Sequence, residues 1–260
     1  MGFRTVDVEI KNKVGWIWLN RPEVRNAFDE VMIDELRRAI DQLGSDSQVR
    51  IVVITGKGSA FCAGADLNWM KRMKDFSYQE NLEDALALAN LLYALYNLPK
   101  PTIAAVNGAS IGGSNGIVAA CDIAIASHKA EFSLSEVRIG LVPACIAPYL
   151  VRKVGEGGCR RLFLTGERIS ADEAFRLGLV NQVVTHENLM RRVDEQASTL
   201  MAAGPQALAM CKHLISSVSA MSLEEARDFT SKMIADLRCK DEAQEGMRAF
   251  LEKRLPRWQE

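Results

Sequence analysis

The chain has 260 residues, of which 48% are hydrophobic and 25% are charged, as in a soluble globular protein with a sizeable core. Its net charge of −1 and the lack of a basic stripe with aromatic residues argue against nucleic acid as a partner. No run of eighteen apolar residues occurs, so no membrane partner is expected.

The six cysteines and three histidines are scattered along the chain and never meet at the spacing of metal ligands. Residues 1–20 lack the layout of a signal peptide. The sequence therefore predicts reduced thiols, a cytoplasmic location and no metal site.

Hydrophobic periodicity predicts alternating strands and helices over the first two thirds of the chain. The pattern of strand, turn and helix recurs, although no repeat is visible residue by residue. In chain order, the predicted elements are strands over 6–10 and 14–19, a helix over 28–43, a strand over 50–56, a helix over 79–97, strands over 102–108 and 121–127, and a weaker strand over 177–184.

Beyond residue 185 the strand signal nearly disappears. Four amphipathic helical stretches follow, over 186–202, 205–219, 222–238 and 241–255. We therefore expect an α/β core over 1–185 and a helical region over 186–260. Because no flexible linker separates them, the helical region should pack on the core or on another subunit.

The stretch AVNGASIGGSNG, residues 105–116, lies where a predicted strand passes into a helix. It contains G-x-S-x-G around Ser110, the pattern of a serine nucleophile in an α/β-hydrolase. Asp172 and His186 follow in the order that such an enzyme requires. The upstream His-Gly loop is missing, because no histidine precedes His128, so the serine hydrolase is the weaker interpretation.

A second loop favours another interpretation. The stretch GSAFCAGADLNWM, residues 58–70, again places small residues between a strand and a helix. Two such loops could each direct one backbone N–H at the same oxygen, as in an oxyanion hole that holds a thioester carbonyl while it becomes an enolate. Glycine and alanine suit this task because the backbone must approach the ligand closely.

Several motifs in fixed order carry a resemblance to a known family. They are LNRPEVRNAF, FCAGADL, AAVNGASIGG, CDIAIAS, FSLSEVRIGLVP, LTGERISADEAFRLGLVNQVV and DEAQEGMRAFLEKR. Together they resemble the crotonase superfamily, the enoyl-CoA hydratase/isomerase family. The resemblance implies an α/β fold, a spiral of repeated ββα units with a C-terminal helical trimerisation region. It also implies a homotrimer or a homohexamer built as a dimer of trimers.

The same resemblance implies an acyl-CoA thioester as substrate, with coenzyme A as part of that substrate and no separate cofactor. By motif position, the N–H groups of Ala65 and Gly113 form the oxyanion hole, and Glu136 in FSLSE is the catalytic acid or base. The residues implied to contact coenzyme A are Val24, Arg25, Ala27, Ala63, Ala65 and Leu67. Arg25 is the expected phosphate partner, since a guanidinium binds phosphate through two hydrogen bonds.

One position departs from the family pattern. Hydratases of this family carry a second glutamate three residues after the oxyanion glycine, where this chain has Gly116. Hydration needs a base for water and an acid for the α-carbon, whereas one carboxylate suffices for a 1,3-proton shift. This logic favours an enoyl-CoA Δ-isomerase. We also expect Gly116 to leave a space where the carboxylate usually stands.

The finer resemblance favours hydration. Residues 63–73, Gly116 and residues 135–150 are similar to bacterial 3-methylglutaconyl-CoA hydratases of leucine breakdown and to isohexenylglutaconyl-CoA hydratases of acyclic terpene breakdown. A glutaconyl-type substrate is therefore the preferred prediction. The alternatives are the isomerase, a generic short-chain enoyl-CoA hydratase, a decarboxylase and a non-catalytic CoA-binding oligomer. The cations expected to meet the substrate carboxylate are Lys71, Arg72, Lys74 and Arg138.

Overall fold

The computed structural model describes residues 2–259, which form two compact units. The first unit contains the described residues up to Leu98 together with Thr102–Asp194. The second contains Pro99–Pro101 and the described residues from Glu195 onward. The division falls within a helix, Leu189–Met201. Its first turns belong to the first unit, where Leu189 and Val193 are buried.

The larger sheet of the first unit has six strands. They are β1 (Val6–Lys11), β2 (Val14–Leu19), β3 (Ile51–Gly56), β5 (Thr102–Val106), β7 (Ile123–Ser127) and β10 (Gln182–Val184), in that spatial order. β1 pairs with β2 in antiparallel register, and every other pair is parallel. β3 and β5 are buried throughout, as expected for central strands covered on both faces.

The smaller sheet has four strands: β4 (Ala60–Cys62), β6 (Ala109–Ile111), β8 (Glu131–Ser133) and β9 (Arg168–Ser170), in that order. The first three are parallel, and β9 is antiparallel to β8. Three times the chain forms a strand of the larger sheet, turns, and forms a strand of the smaller sheet. Helical structure follows each time, so the unit is built from repeated ββα elements.

The helices of the first unit begin at sequence signals of the expected kind. Asp29 caps α1 (Glu30–Ser45) by accepting a hydrogen bond from the Met32 N–H. Ser77 and Glu80 form a capping box at α3 (Tyr78–Asn97). The remaining helices of this unit are α2 (Leu67–Met73), α4 (Ser114–Ala120), α5 (Ala147–Thr165) and α6 (Ala171–Arg176), followed by α7 (Leu189–Met201) at the boundary.

The second unit contains the rest of α7 and three further helices, α8 (Pro205–Val218), α9 (Leu223–Arg238) and α10 (Asp241–Leu251). The Glu242 carboxylate accepts hydrogen bonds from the N–H groups of Gln206 and Ala207 and so caps the start of α8. Arg254 holds Glu245 through two hydrogen bonds, of 2.6 and 3.1 Å. Glu242 thus links α10 to the start of α8, and Arg254 holds the chain that follows α10 against that helix.

The fold class predicted from the sequence is confirmed, and the helical C-terminal stretches are present. Four short strands, β4, β6, β8 and β9, and the helices α5 and α6 were not predicted. The prediction of a strand over 177–181 is wrong, because the chain there leaves α6 through Gly178 at φ +80° and β10 begins only at Gln182. Within residues 2–259, no helix combines the length and the apolar character that a membrane crossing requires.

Candidate active site

The AGAD loop, residues 63–66, is held by a parallel bridge to Phe28. The Phe28 N–H donates to the Gly64 carbonyl, and the Asp66 N–H donates to the Phe28 carbonyl, both at 2.7 Å. In a parallel bridge the residue between these two points its own N–H to the opposite side. The Ala65 N–H accordingly has no acceptor within residues 2–259, and Ala65 is exposed.

Asp66 fixes the exit of this loop. Its Oδ1 accepts hydrogen bonds from the N–H groups of Asn68 and Trp69 and caps α2. Its Oδ2 accepts one from Arg21 at 2.9 Å, and Arg21 also pairs with Asp29 at 2.8 Å. Burial alone would raise the pKa of Asp66, but the backbone and Arg21 hydrogen bonds outweigh it and lower the pKa.

The other loop, within residues 105–116, turns at Gly112, whose φ is +58° and whose N–H donates to the Ser133 carbonyl. The Asn115 amide nitrogen donates to the carbonyls of Ser110, Gly112 and Ser133, at 2.9–3.2 Å. This one side chain ties the turn to β6 and β8. The N–H of the next residue, Gly113, has no acceptor in the described part of the chain.

Phe28 brings the two loops together. Its backbone forms the bridge to Ala65, while its ring lies against Gly113. A Cβ added at Gly113 would stand 3.8 Å from the Phe28 ring and 3.6 Å from Leu88 Cδ2. Two backbone N–H groups without an intramolecular acceptor therefore flank one buried aromatic residue. Such a pair can hold an anionic oxygen when both point at it.

Glu136 lies beside this pair of loops, on the helical turn Ser135–Ile139. A Cβ added at Gly112 would come within 3.3 Å of Glu136 Oε1. Glu136 Oε2 is buried and has no hydrogen-bond partner among the described residues. Burial raises the pKa of Glu136, and only its own backbone N–H opposes this. An unpartnered carboxyl with a raised pKa is suited to accept and return protons.

The expectation of an empty space at Gly116 is wrong. A Cβ built there would lie 2.4 Å from Ile146 Cγ2 and 2.9 Å from Leu92 Cδ1, closer than carbon atoms approach. Ile146 belongs to the segment PACIAPYL, residues 143–150. This side chain fills the volume that a larger residue at position 116 would occupy. The missing glutamate is therefore replaced by apolar packing.

The segments implied to contact coenzyme A lie next to each other. The Ala63 N–H donates to the Arg25 carbonyl at 3.0 Å, which joins the turn containing Val24 and Ala27 to the AGAD loop. Arg25 adopts the left-handed conformation, with φ 53°. Val24 and Leu67 are 38% and 74% exposed, whereas Ala27 is buried, so its side chain faces the core.

The guanidinium of Arg25 is exposed and makes no hydrogen bond or ion pair within residues 2–259. The residue next to it, Asn26, is buried, with φ 57°, and its side-chain amide donates to the carbonyls of Lys57 and Ala60. Asn26 thus anchors the turn from inside and leaves the Arg25 side chain at the surface.

The serine-nucleophile interpretation is wrong. Ser110 is fully buried, and its hydroxyl lies 2.9 Å from that of Ser114. The His186 ring pairs instead with the Ser127 hydroxyl at 3.2 Å, and the His186 backbone N–H donates to His128 Nδ1. Without a histidine at Ser110 there is no base to activate the hydroxyl.

The cations expected to meet a substrate carboxylate are all exposed: Lys71, Arg72, Lys74 and Arg138. Arg72 pairs with Glu30, and Arg138 donates to the Thr165 carbonyl at 3.5 Å. These contacts turn both arginines toward groups outside the two loops, so the structure gives this expectation no support.

One carboxyl near the loops was missed from the sequence. Asp84 on α3 accepts a hydrogen bond from the Trp69 indole N–H at 3.1 Å. Burial raises the pKa of Asp84; the Trp69 hydrogen bond opposes this, and nearby Glu30 adds to it. The sequence could have indicated Asp84 by its spacing, because Asp84, Leu88 and Leu92 follow one another at intervals of four residues on one face of the helix.

Relatives of this chain are found over nearly its whole length. The sequence pattern described as Enoyl-CoA hydratase/isomerase matches residues 9–260. A short-chain-enoyl-CoA hydratase of Clostridium acetobutylicum is 35% identical, over 98% of this chain and 97% of that protein. A crotonyl-CoA hydratase of Syntrophomonas wolfei is 32% identical, over 98% and 97%.

The fold comparison points the same way. The crystal structure of an enoyl-CoA hydratase from Shewanella pealeana superposes with a TM-score of 0.96 at 38% identity and covers 98% of this chain and 96% of that one. The repeated ββα elements, the C-terminal helices and these matches together define an enzyme of the crotonase class. The chain belongs to the enoyl-CoA hydratase/isomerase family.

Proposed function

We propose that the protein hydrates an α,β-unsaturated enoyl-CoA thioester through an enolate, with Ala65 and Gly113 as the oxyanion hole and Glu136 as the acid. The observation that carries this proposal is the buried, unpartnered Oε2 of Glu136 beside Gly112. Gly112 is the residue before Gly113, whose N–H has no acceptor in the described part of the chain. Family membership supplies the substrate class.

In the proposed reaction, the oxygen of water bonds to the β-carbon, one O–H bond of the water breaks and its proton passes to a base other than Glu136, while the π electrons move onto the thioester oxygen. The two N–H groups stabilise that negative charge, and each such donor is worth about 10²–10³-fold in rate. Glu136 then gives its proton to the α-carbon, and the enolate returns to a thioester. Its raised pKa keeps a larger protonated fraction near neutral pH than an ordinary glutamate has.

Coenzyme A is proposed to lie along the joined segments that contain Val24, Arg25, Ala27, Ala63 and Leu67. The exposed, unpaired guanidinium of Arg25 supports a phosphate contact there. A homotrimer or homohexamer is proposed from the same resemblance. Strong exposure of apolar residues in the second unit, Leu223 at 91% and Phe250 at 83%, supports burial of this surface in an assembly.

For the acyl group we propose a glutaconyl type, such as 3-methylglutaconyl-CoA. Support comes from the sequence of residues 63–73 and 135–150 and from the glycine at position 116. The buried side chains of Ile146 and Leu92 fill the position of the usual second glutamate, so no carboxylate stands there. The lack of this glutamate favours a Δ-isomerase as the second candidate.

The test is a panel of CoA esters: crotonyl, 3-methylglutaconyl and a 3-enoyl ester, each scored for hydration and for isomerisation. We expect hydration, with higher kcat/KM for the glutaconyl ester. Equal values for crotonyl and glutaconyl esters would refute the finer substrate assignment, and isomerisation alone would refute hydration.

Glu136→Gln should lower either activity by about 10²–10⁴-fold. The matched control is Glu156→Gln, because Glu156 is an exposed glutamate on α5 whose one partner among the described residues is Arg160. A Glu136→Gln variant as active as this control would remove Glu136 from the mechanism.

A further inference from the structure

Asp84 lies on the face of α3 that packs against Gly113 and Gly116. Leu88, one turn after Asp84, approaches the Cβ position of Gly113 at 3.6 Å. Leu92, two turns after it, approaches that of Gly116 at 2.9 Å. Residues four apart share a helix face and are separated by about 6 Å along the axis. Asp84 therefore stands about one turn beyond the residue that touches Gly113.

Asp84 is enclosed by two other segments that border the same loops. Trp69, which donates to Asp84 Oδ1, lies in the first turn of α2, directly after the AGAD loop. Cys145 donates to the carbonyl of Ala85, the residue after Asp84, at 3.5 Å. Cys145 precedes Ile146, which fills the space at Gly116. The helix α2 and the segment before α5 thus both contact α3 at Asp84 and Ala85.

The Asp84 carboxyl retains an unused oxygen. Oδ1 takes the Trp69 hydrogen bond, while Oδ2 has no hydrogen-bond partner within residues 2–259. The side chain is half-buried, and Glu30, whose like charge helps to raise the pKa of Asp84, is itself paired with Arg72. No cation among the described residues neutralises Asp84, so its position is not explained by an ion pair.

We propose that Asp84 is the second catalytic carboxylate of this enzyme, supplied by α3 in place of the residue that α4 lacks at Gly116. This inference rests on the proposed hydration. Asp84 would accept one proton from the attacking water through Oδ2, while Glu136 serves the α-carbon. Burial raises the pKa of Asp84, which makes it a stronger base than an exposed aspartate.

The proton balance of the reaction is complete with these two groups. As the water oxygen bonds to the β-carbon, one O–H bond breaks and its proton passes to Asp84. The π electrons reach the thioester oxygen and then form the α C–H bond with the proton of Glu136. Asp84 ends protonated and Glu136 ends ionised, and exchange of protons with solvent restores both groups.

The experiment compares two reactions of the same protein. Hydration of the enoyl-CoA ester requires both carboxylates, whereas exchange of the α-protons of butyryl-CoA with D₂O requires only Glu136 and the oxyanion hole. Asp84→Asn should lower kcat for hydration by about 10²-fold or more and leave α-proton exchange within a few-fold of the unaltered enzyme. Glu136→Gln should lower both.

The control is Glu83→Gln, since Glu83 is the neighbouring, exposed carboxylate on α3 and, within residues 2–259, accepts a hydrogen bond from Gln79 alone. Asp84→Glu, which retains the carboxylate, should recover part of the hydration. Near-normal hydration by Asp84→Asn would overturn the inference. An equal fall of hydration and exchange would also overturn it, because that result indicates a structural role. Absence of hydration in the unaltered enzyme would refute the proposed function itself, and this inference with it.

Discussion

Packing at Gly116 leads to a prediction about stability that can be worked out from distances. In Gly116→Ala the new methyl group would overlap Ile146 Cγ2, at 2.4 Å, and crowd Leu92 Cδ1, at 2.9 Å. Overpacking of a core costs about 1–3 kcal/mol. Replacing glycine by alanine within a helix stabilises the folded state by about 0.5–1 kcal/mol. We expect a net loss of about 1–2 kcal/mol, and a larger loss for Gly116→Glu.

The assay is urea unfolding followed by circular dichroism, with a double-mutant cycle. Ile146→Ala alone should cost about 2–5 kcal/mol because it opens a cavity. The double variant Gly116→Ala/Ile146→Ala should cost less than the sum of the single changes, with a coupling of about 0.5–3 kcal/mol. Gly157→Ala on α5 is the control, because no heavy atom lies within 4 Å of the added Cβ. Unchanged stability in Gly116→Ala, or strictly additive costs, would refute the packing argument.

Three further outcomes can be measured on single variants. Burial raises the pKa of Glu136, so ionisation of this carboxyl at high pH destabilises the native state. Glu136→Gln removes the ionisable group and should therefore raise the urea midpoint at pH 8 but not at pH 4. Ser110→Ala should leave enoyl-CoA turnover within a few-fold and cost about 1 kcal/mol for the lost Ser114 hydrogen bond. Asp66→Ala should cost about 2–4 kcal/mol at pH 7, since it removes a helix cap and a partner of Arg21. Because the pKa of Asp66 is lowered in the native state, that cost should shrink as the pH falls toward 3; a cost independent of pH would contradict the assignment.

Much of the fold follows from periodicity. β3 and β5 are long apolar runs, and α3 ends at Asn97, directly before the Pro99–Pro101 segment that cannot continue it. The three-residue strands of the smaller sheet escaped prediction because a run of three residues is too short to establish a period. The helix α5 escaped because Gly155, at φ +79°, interrupts its pattern.

The candidate site also has a part that the sequence predicted and a part that it did not. Local motifs located Ala65, Gly113 and Glu136 through the resemblance, and these roles remain predictions. The filling of Gly116 by Ile146, thirty positions further along the chain, could not be read from either residue alone. Nor could the contact between Trp69 and Asp84, because it depends on how α2 and α3 meet. Side-chain contacts between distant segments are set by tertiary packing, on which local patterns carry no information.

The proposed oxyanion hole has two arms, the loop at Ala65 and the loop at Gly113. The side-chain contacts that hold these two loops differ in sequence separation. Asn115 secures the Gly113 arm through partners only 3, 5 and 18 residues away. The Ala65 arm depends on Arg21, which meets Asp66 across 45 residues. Closing the longer loop costs more chain entropy, so the Gly113 arm can form early in folding while the Ala65 arm must await the long-range contact. In partial unfolding the order reverses: amide exchange around Ala65 should accelerate at denaturant concentrations that leave the turn at Gly112 protected.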